Sequence, residues 1–66
     1  MRFRKSAEVA VREDHPDLGL RAGDSGIVWA LYDTNPPAYE VTFRDADGVE
    51  FDFLMEQDEL TETPKR

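Results

Sequence analysis

The segment LGLRAGDSGIV, residues 18–28, constrains the fold more than any other part of the chain. Its three glycines permit positive φ angles and tight turns within a short span. The β-branched residues Ile27 and Val28 follow at once and favour extended backbone. The segment therefore predicts a loop that leads directly into a strand, within an all-β chain.

Three further segments alternate apolar and polar residues with the period of two that is typical of a half-buried strand. They are residues 7–12, 39–44 and 49–56. The run from residue 26 to residue 32 is nearly all apolar, and we predict a central, strongly bent strand there. A kink or bulge in that strand turns Val28 and Leu31 into the core and leaves Trp29 and Tyr32 partly exposed.

The connections between these strands are rich in turn-forming residues. Residues 13–24 form a long polar loop, in which Pro16 pushes His15 toward an extended backbone. A turn is predicted at 33–37, and the Asp-Ala-Asp-Gly sequence at 45–48 predicts a hairpin. One helical turn at 56–59 then precedes a short fifth strand at 60–63.

These elements predict a small five-stranded SH3-like barrel with one short helical turn before the last strand. The 66 residues have room for one domain only, with residues 1–5 and 64–66 as frayed tails. Closing the sheet would hide the edges that an open sheet exposes. The predicted core residues are Val9, Val11, Val28, Leu31, Val41, Phe43, Phe51, Phe53 and Leu60.

The charge distribution disfavours several classes of partner. The net charge is −7, and five of the eight basic residues lie within the first five and last two positions. The body between them has three basic residues against all 15 acidic ones, which should repel nucleic acids and anionic membranes and attract a basic protein surface. Without cysteine, a signal-peptide pattern or a membrane-spanning run, a cytoplasmic location is expected.

Several short motifs suggest chemistry that the rest of the chain does not support. Gly23-Asp24-Ser25-Gly26 matches the nucleophile motif of chymotrypsin-like proteases, but His15 is the only possible base and the scaffold is far too small. The acidic residues between 45 and 52 lack the spacing of a calcium loop, and a single histidine gives no zinc site. We expect no enzyme activity, no cofactor and no metal.

Ala30-Leu31-Tyr32-Asp33 resembles the ALYDY signature of eukaryotic SH3 domains, although the order of the surrounding motifs differs. Recognition of a proline-rich peptide in a groove formed by Trp29, Tyr32 and Tyr39 therefore remains an alternative.

A second resemblance extends over most of the chain. Its most specific part is the pattern Gly-Leu-x-x-Gly-Asp-x-Gly-x-Val at 19–28, preceded by Glu-Val-Ala-Val at 8–11 and followed by Tyr-Glu-Val-x-Phe and Asp-Gly at 39–48. The sequence resembles the bacterial family called domain of unknown function 4926. The resemblance implies short, cytoplasmic β-barrel proteins without an assigned activity. Trp29 and Ala30 depart from it, where a smaller aliphatic and a polar residue are expected.

The leading functional hypothesis is a non-catalytic protein-binding module, a regulatory, antitoxin-like or inhibitor subunit. It would present an acidic face with an aromatic centre to a protein with a basic surface. A nucleic-acid mimic that blocks a basic groove, and nucleic-acid binding through the basic ends, are alternatives. The partner and the oligomeric state stay open. The candidate partner-binding residues are Trp29, Tyr32, Tyr39, His15, Asp24 and Leu54.

Overall fold

The computed structural model describes residues 3–63 and is built from five strands and two single 3₁₀ turns. The two turns span Pro16–Leu18 and Gln57–Glu59, and the second confirms the helical turn predicted before the last strand. No helix among residues 3–63 is long and apolar enough to cross a membrane. The strands are β1 (Glu8–Val11), β2 (Ser25–Tyr32), β3 (Ala38–Arg44), β4 (Glu50–Glu56) and β5 (Leu60–Glu62).

All strand pairs are antiparallel, in the order β4-β3-β2-β1-β5. The first four strands form a meander, and β5 returns beside β1. The predicted all-β class with five strands is therefore confirmed. Within residues 3–63 no pairing joins β4 to β5, so the sheet is open and the predicted barrel closure is not confirmed.

The long central strand contains the predicted irregularity. Val28 pairs with Val41 and Ala30 pairs with Glu40, so a bulge at Trp29 adds one residue to β2. A bulge shifts the alternation of side chains by one position. Val28 and Leu31 consequently face the same side of the sheet, although they are three residues apart.

The inner face of the curled sheet holds the hydrophobic core. Six of the predicted core residues are buried there, and Phe3, Leu20, Tyr39 and Met55 join them. Phe3 lies in the segment predicted to be a tail, yet its ring packs 5.2 Å from that of Tyr39. Residues 1–2 and 64–66 of the predicted tails lie outside the described residues. The six confirmed core residues are Val9, Val11, Val28, Val41, Phe43 and Leu60.

Two residues that the sequence assigns to the core are exposed, and the assignment is wrong for both. Leu31 is 41% exposed because β1 pairs only with residues 25–27 of β2 and does not reach the end of that strand. Phe51 is 45% exposed because it lies on β4, beside which no further strand packs among the described residues. Phe53 is partly buried against the core.

The glycine-rich segment contributes one position where no side chain fits. A Cβ atom on Gly26 would lie 2.7 Å from the carbonyl oxygen of Thr42 and 2.9 Å from a ring carbon of Phe43. Gly26 pairs with Phe43 across the sheet, so its missing side chain makes space for that buried ring. The loop before it is held by hydrogen bonds, including one from the Ala22 N–H to the Asp14 carboxylate at 2.9 Å.

Candidate protein-contact surface

The outer face of the sheet is defined by the cross-strand partners that point away from the core. Ile27 of β2 pairs with Glu8 on one side and with Thr42 on the other. Farther along, Glu40 of β3 pairs with both Ala30 and Leu54. Directly paired residues share a face, so these two rows cross the same side of the sheet.

Large apolar side chains remain exposed on this face. We define the outer patch as Ile27, Trp29, Tyr32 and Leu54, whose exposed fractions lie between 42% and 65%. The first three follow β2, and Leu54 lies two strands away on β4. Grouped apolar residues on the surface of a small protein are typical of a contact site for another macromolecule. The partial exposure of Trp29 and Tyr32 that the sequence predicts is confirmed.

Trp29 lines an open depression of about 440 Å³ on the outer face. The depression is bounded by charged groups from three strands, namely Glu8, Arg44 and Glu50. A guanidinium nitrogen of Arg44 lies 2.5 Å from Oε2 of Glu50. The hydrogen bond to Glu50, followed by its negative charge, raises the pKa of Arg44, so Arg44 stays protonated. The lining of the depression therefore combines the apolar side chains of Ile27 and Trp29 with these charged groups.

Tyr32 is held at the other end of the outer patch by a carboxylate. Its hydroxyl donates a hydrogen bond of 2.6 Å to Oε1 of Glu40. That hydrogen bond raises the pKa of Tyr32 most, because it stabilises the protonated phenol, and desolvation and the charge of Glu40 add to it. The interaction keeps the ring beside the sheet, with one apolar surface and one polar end available for contact.

Tyr39 does not belong to the outer patch, and its assignment to an exposed aromatic groove is wrong. Its side chain is 0% exposed on the inner face. The hydroxyl donates to the side-chain oxygen of Gln57 and accepts a hydrogen bond of 3.2 Å from the Phe3 N–H. Tyr39 thus connects the start of the described chain, β3 and the second 3₁₀ turn.

His15 and Asp24 lie in the long loop, where His15 contacts the second 3₁₀ turn and Asp24 contacts the turn that it belongs to. Nε2 of His15 is 3.6 Å from a carboxylate oxygen of Glu59. Oδ2 of Asp24 accepts a hydrogen bond of 2.9 Å from the Arg21 N–H, which closes the turn before β2. The structure therefore does not bring these two residues together with Trp29 and Tyr32, and their binding role stays a prediction.

The acidic hairpin considered as a calcium loop has a structural explanation. Oδ1 of Asp45 accepts hydrogen bonds from the backbone N–H groups of Asp47 and Val49, at 2.9 and 3.0 Å. Gly48 supplies the positive φ of the turn. Within residues 3–63, no group of three or more histidine, aspartate or glutamate side chains is placed to hold a metal ion.

Sequence reasoning did not assign Ile27, Glu40 or Arg44 to the surface site. The apolar run from Gly26 to Tyr32 hides the orientation of Ile27, because nearly every position in it is apolar. The two charged residues alternate with buried positions of β3, so their outward orientation is readable from the sequence. Their partners on β2 and β4 are not, because these depend on strand register.

The chain matches a known protein family. The family model described as Domain of unknown function (DUF4926) matches residues 7–60. The matched region contains all of β1 to β4 and the complete outer patch. Comparisons with curated proteins and with solved structures give no significant match.

Proposed function

The chain belongs to the DUF4926 family, and we propose that it is a non-catalytic protein-binding module that acts as a regulatory, antitoxin-like or inhibitor subunit. Its contact surface is the outer face of the sheet, centred on the outer patch. Its partner is a protein with a basic surface, and both act in the bacterial cytoplasm.

The observation that carries this proposal is the exposure of Trp29 and its neighbours on a folded sheet. Trp29 is 43% exposed and is the bulged residue in the middle of β2, between Val28 and Ala30, which both pair with β3. Tryptophan and tyrosine are enriched among the residues that dominate binding energy at protein interfaces. Their rigid rings bury a large area at a small cost in side-chain entropy.

The charges around the outer patch support a basic partner. Glu8, Glu40, Glu50 and Asp52 share the outer face with it, whereas Arg44 is paired with Glu50. The body of the chain carries 15 acidic residues and three basic ones. Such a field accelerates encounter with a positively charged surface and repels acidic proteins.

The test compares two variants of β2, in each of which one exposed side chain is replaced by serine. Trp29→Ser removes the centre of the outer patch, and Leu31→Ser removes a side chain of similar exposure on the opposite face. Wild type and both variants are immobilised, and the proteins retained from a lysate of the native host are quantified. We expect Trp29→Ser to weaken retention of a specific partner by roughly thirtyfold, as for a central aromatic contact, and Leu31→Ser to retain it.

Far-UV circular dichroism of both variants confirms that each remains folded before retention is compared. Equal loss in the two variants, or no protein enriched on the wild type over the Trp29→Ser variant, contradicts the proposal. Retention should also fall as the salt concentration rises, because exposed charges contribute to the encounter.

A further inference from the structure

Among residues 3–63, β4 is a seven-residue edge of the sheet: β3 pairs with it on one side and no strand pairs with it on the other. Its ladder with β3 continues at both ends into hydrogen bonds from Asp45 N–H to Val49 O and from Gln57 N–H to Pro37 O. Hydrogen-bonded and non-hydrogen-bonded pairs alternate in an antiparallel ladder. The backbone hydrogen bonds to β3 are therefore made by Phe51, Phe53 and Met55.

The same alternation leaves the backbone N–H and C=O groups of Glu50, Asp52 and Leu54 directed away from β3. The next position of this row, Glu56, is already engaged, since its N–H donates to Oε1 of Glu59 at 2.8 Å. Three consecutive outward positions, about 7 Å apart, make a template for an added strand.

The β4 edge has only one of the usual protections, a row of charged side chains. Proteins also block an edge with proline, lysine, a bulge or a very short strand. The strand EFDFLME has no proline, lysine or bulge, whereas the other edge, β5, has only three residues. Phe51 faces the core side opposite the buried Phe43 and is still 45% exposed, so an added strand would cover it.

The acidic side chains of β4 limit which segment can pair with this edge. On the outer face, β4 presents Glu50, Asp52, Leu54 and Glu56 in one row. A second copy pairing antiparallel about Phe53 would set Glu50 opposite Glu56 twice, and like charges directly opposite each other destabilise a sheet. Self-association at this edge is therefore disfavoured by the same charges that favour a basic segment.

We propose that the β4 edge binds an extended segment of a partner protein in which basic residues alternate with apolar ones. This proposal rests on the proposed protein-binding function and names the form of the partner. The segment's backbone bonds to Glu50, Asp52 and Leu54. Its basic side chains lie beside the acidic row on the outer face, and its apolar side chains cover Phe51 on the inner face.

The first experiment uses defined peptides rather than an unidentified partner. The probe is a capped heptapeptide in which lysine alternates with valine, and binding is measured from Trp29 fluorescence and from protein amide spectra. A peptide with the same composition in two blocks, and one with N-methyl groups on alternate backbone amides, are the controls. We expect the alternating peptide to bind at least about tenfold more tightly than either control, because only it pairs along the edge.

The second experiment changes the edge of the protein. Leu54→Pro removes an N–H that β3 does not use, which an edge strand tolerates, and Leu54→Ala keeps that N–H while shortening the side chain. We expect Leu54→Pro to weaken peptide binding by about tenfold and Leu54→Ala by less than about threefold. In the wild-type complex, amide exchange of Asp52 and Leu54 should slow, since both N–H groups become hydrogen-bonded.

The proposal would be overturned by no binding of the alternating peptide, by equal binding of the block or the N-methylated peptide, by unchanged peptide binding to the Leu54→Pro variant, or by a dimer that Leu54→Pro dissociates. Should Leu54→Pro unfold, the N-methylated peptide alone decides the point. Leu54 belongs to the outer patch, so Leu54→Ala is the control for the loss of its side chain. A partner that Trp29→Ser loses, and that Leu54→Pro weakens no more than Leu54→Ala does, would disprove the edge and leave the proposed function intact. A lysate partner that both Trp29→Ser and Leu54→Pro retain would contradict the proposed function itself.

Discussion

The two faces of the sheet both carry aromatic side chains, but they use them in opposite ways. Tyr39 on the inner face is 0% exposed, whereas Tyr32 on the outer face is 42% exposed. Each hydroxyl donates to a side-chain oxygen, that of Gln57 for Tyr39 and that of Glu40 for Tyr32. The two tyrosines therefore share a donated hydrogen bond and differ in coverage, and coverage separates a residue that stabilises the fold from one available for contact.

The inner face is covered because the chain returns across it. Phe3, Leu20 and Leu60 come from three separate segments and all pack into the core. No segment among residues 3–63 covers the outer patch in the same way. Burial of apolar area drives folding, so the free energy of folding should depend on the inner face far more than on the outer one.

The largest expected effect is that of Tyr39→Ala, which tests this division directly. Removal of a buried aromatic side chain costs about 3–5 kcal/mol. A domain of this size has a free energy of unfolding of roughly 3–10 kcal/mol, so the variant should be largely unfolded or close to it. Far-UV circular dichroism during urea titration measures the change. Tyr32→Ala is the matched control. A similar loss in the free energy of unfolding for the two variants would contradict the division between the inner and outer faces.

Gly26→Ala should have the next largest effect. The new methyl group would lie within 2.9 Å of Thr42, Val41 and Phe43, so the backbone or the buried ring must shift. Overpacking of this kind costs about 1–3 kcal/mol in the free energy of unfolding. Urea titration checks the value, with the exposed neighbour Ser25→Ala expected to change stability by less than about 0.5 kcal/mol. An unchanged midpoint for Gly26→Ala would show that the inner face is not tightly packed there.

Trp29→Ser should change stability much less than either inner-face variant. Its side chain is 43% exposed, and its removal should lower the free energy of unfolding by less than about 1 kcal/mol. The same substitution is expected to weaken partner retention by roughly thirtyfold, so stability and binding should separate at this residue. A thermal midpoint as low as that of Gly26→Ala would assign Trp29 to the fold rather than to contact.

The smallest effect concerns the pKa of Tyr32. The hydrogen bond to the Glu40 carboxylate raises that pKa, so Glu40→Gln should lower it toward the ordinary value of 10.0. The wild-type hydrogen bond is intact while the phenol is protonated, and it is lost as the pH rises through the raised pKa. Carbon-13 NMR of the tyrosine ring follows the titration. Asp52→Asn, whose carboxylate contacts Thr42 at 2.7 Å, should leave the pKa of Tyr32 unchanged.

The sequence predicted part of the outer patch. It indicated the exposure of Trp29 and Tyr32, and that exposure is confirmed, but it also placed Tyr39 beside them. Aromatic residues satisfy both a core and a surface, so their identity alone cannot tell which they occupy. Ile27 was missed because the apolar run around it contains no polar position to mark a face.

The local pattern by itself determined the five strands, the bulge in β2, the hairpin at 45–48 and the turn before β5. These features depend on residues close together in the chain: alternation, glycine positions and β-branched runs. Only the tertiary structure decided that Tyr39 is covered, that Leu31 and Phe51 are not, and that β4 forms an edge. Burial depends on which distant segments pack against a residue. The alternation of apolar and polar side chains along one strand does not indicate which segments lie beside that strand.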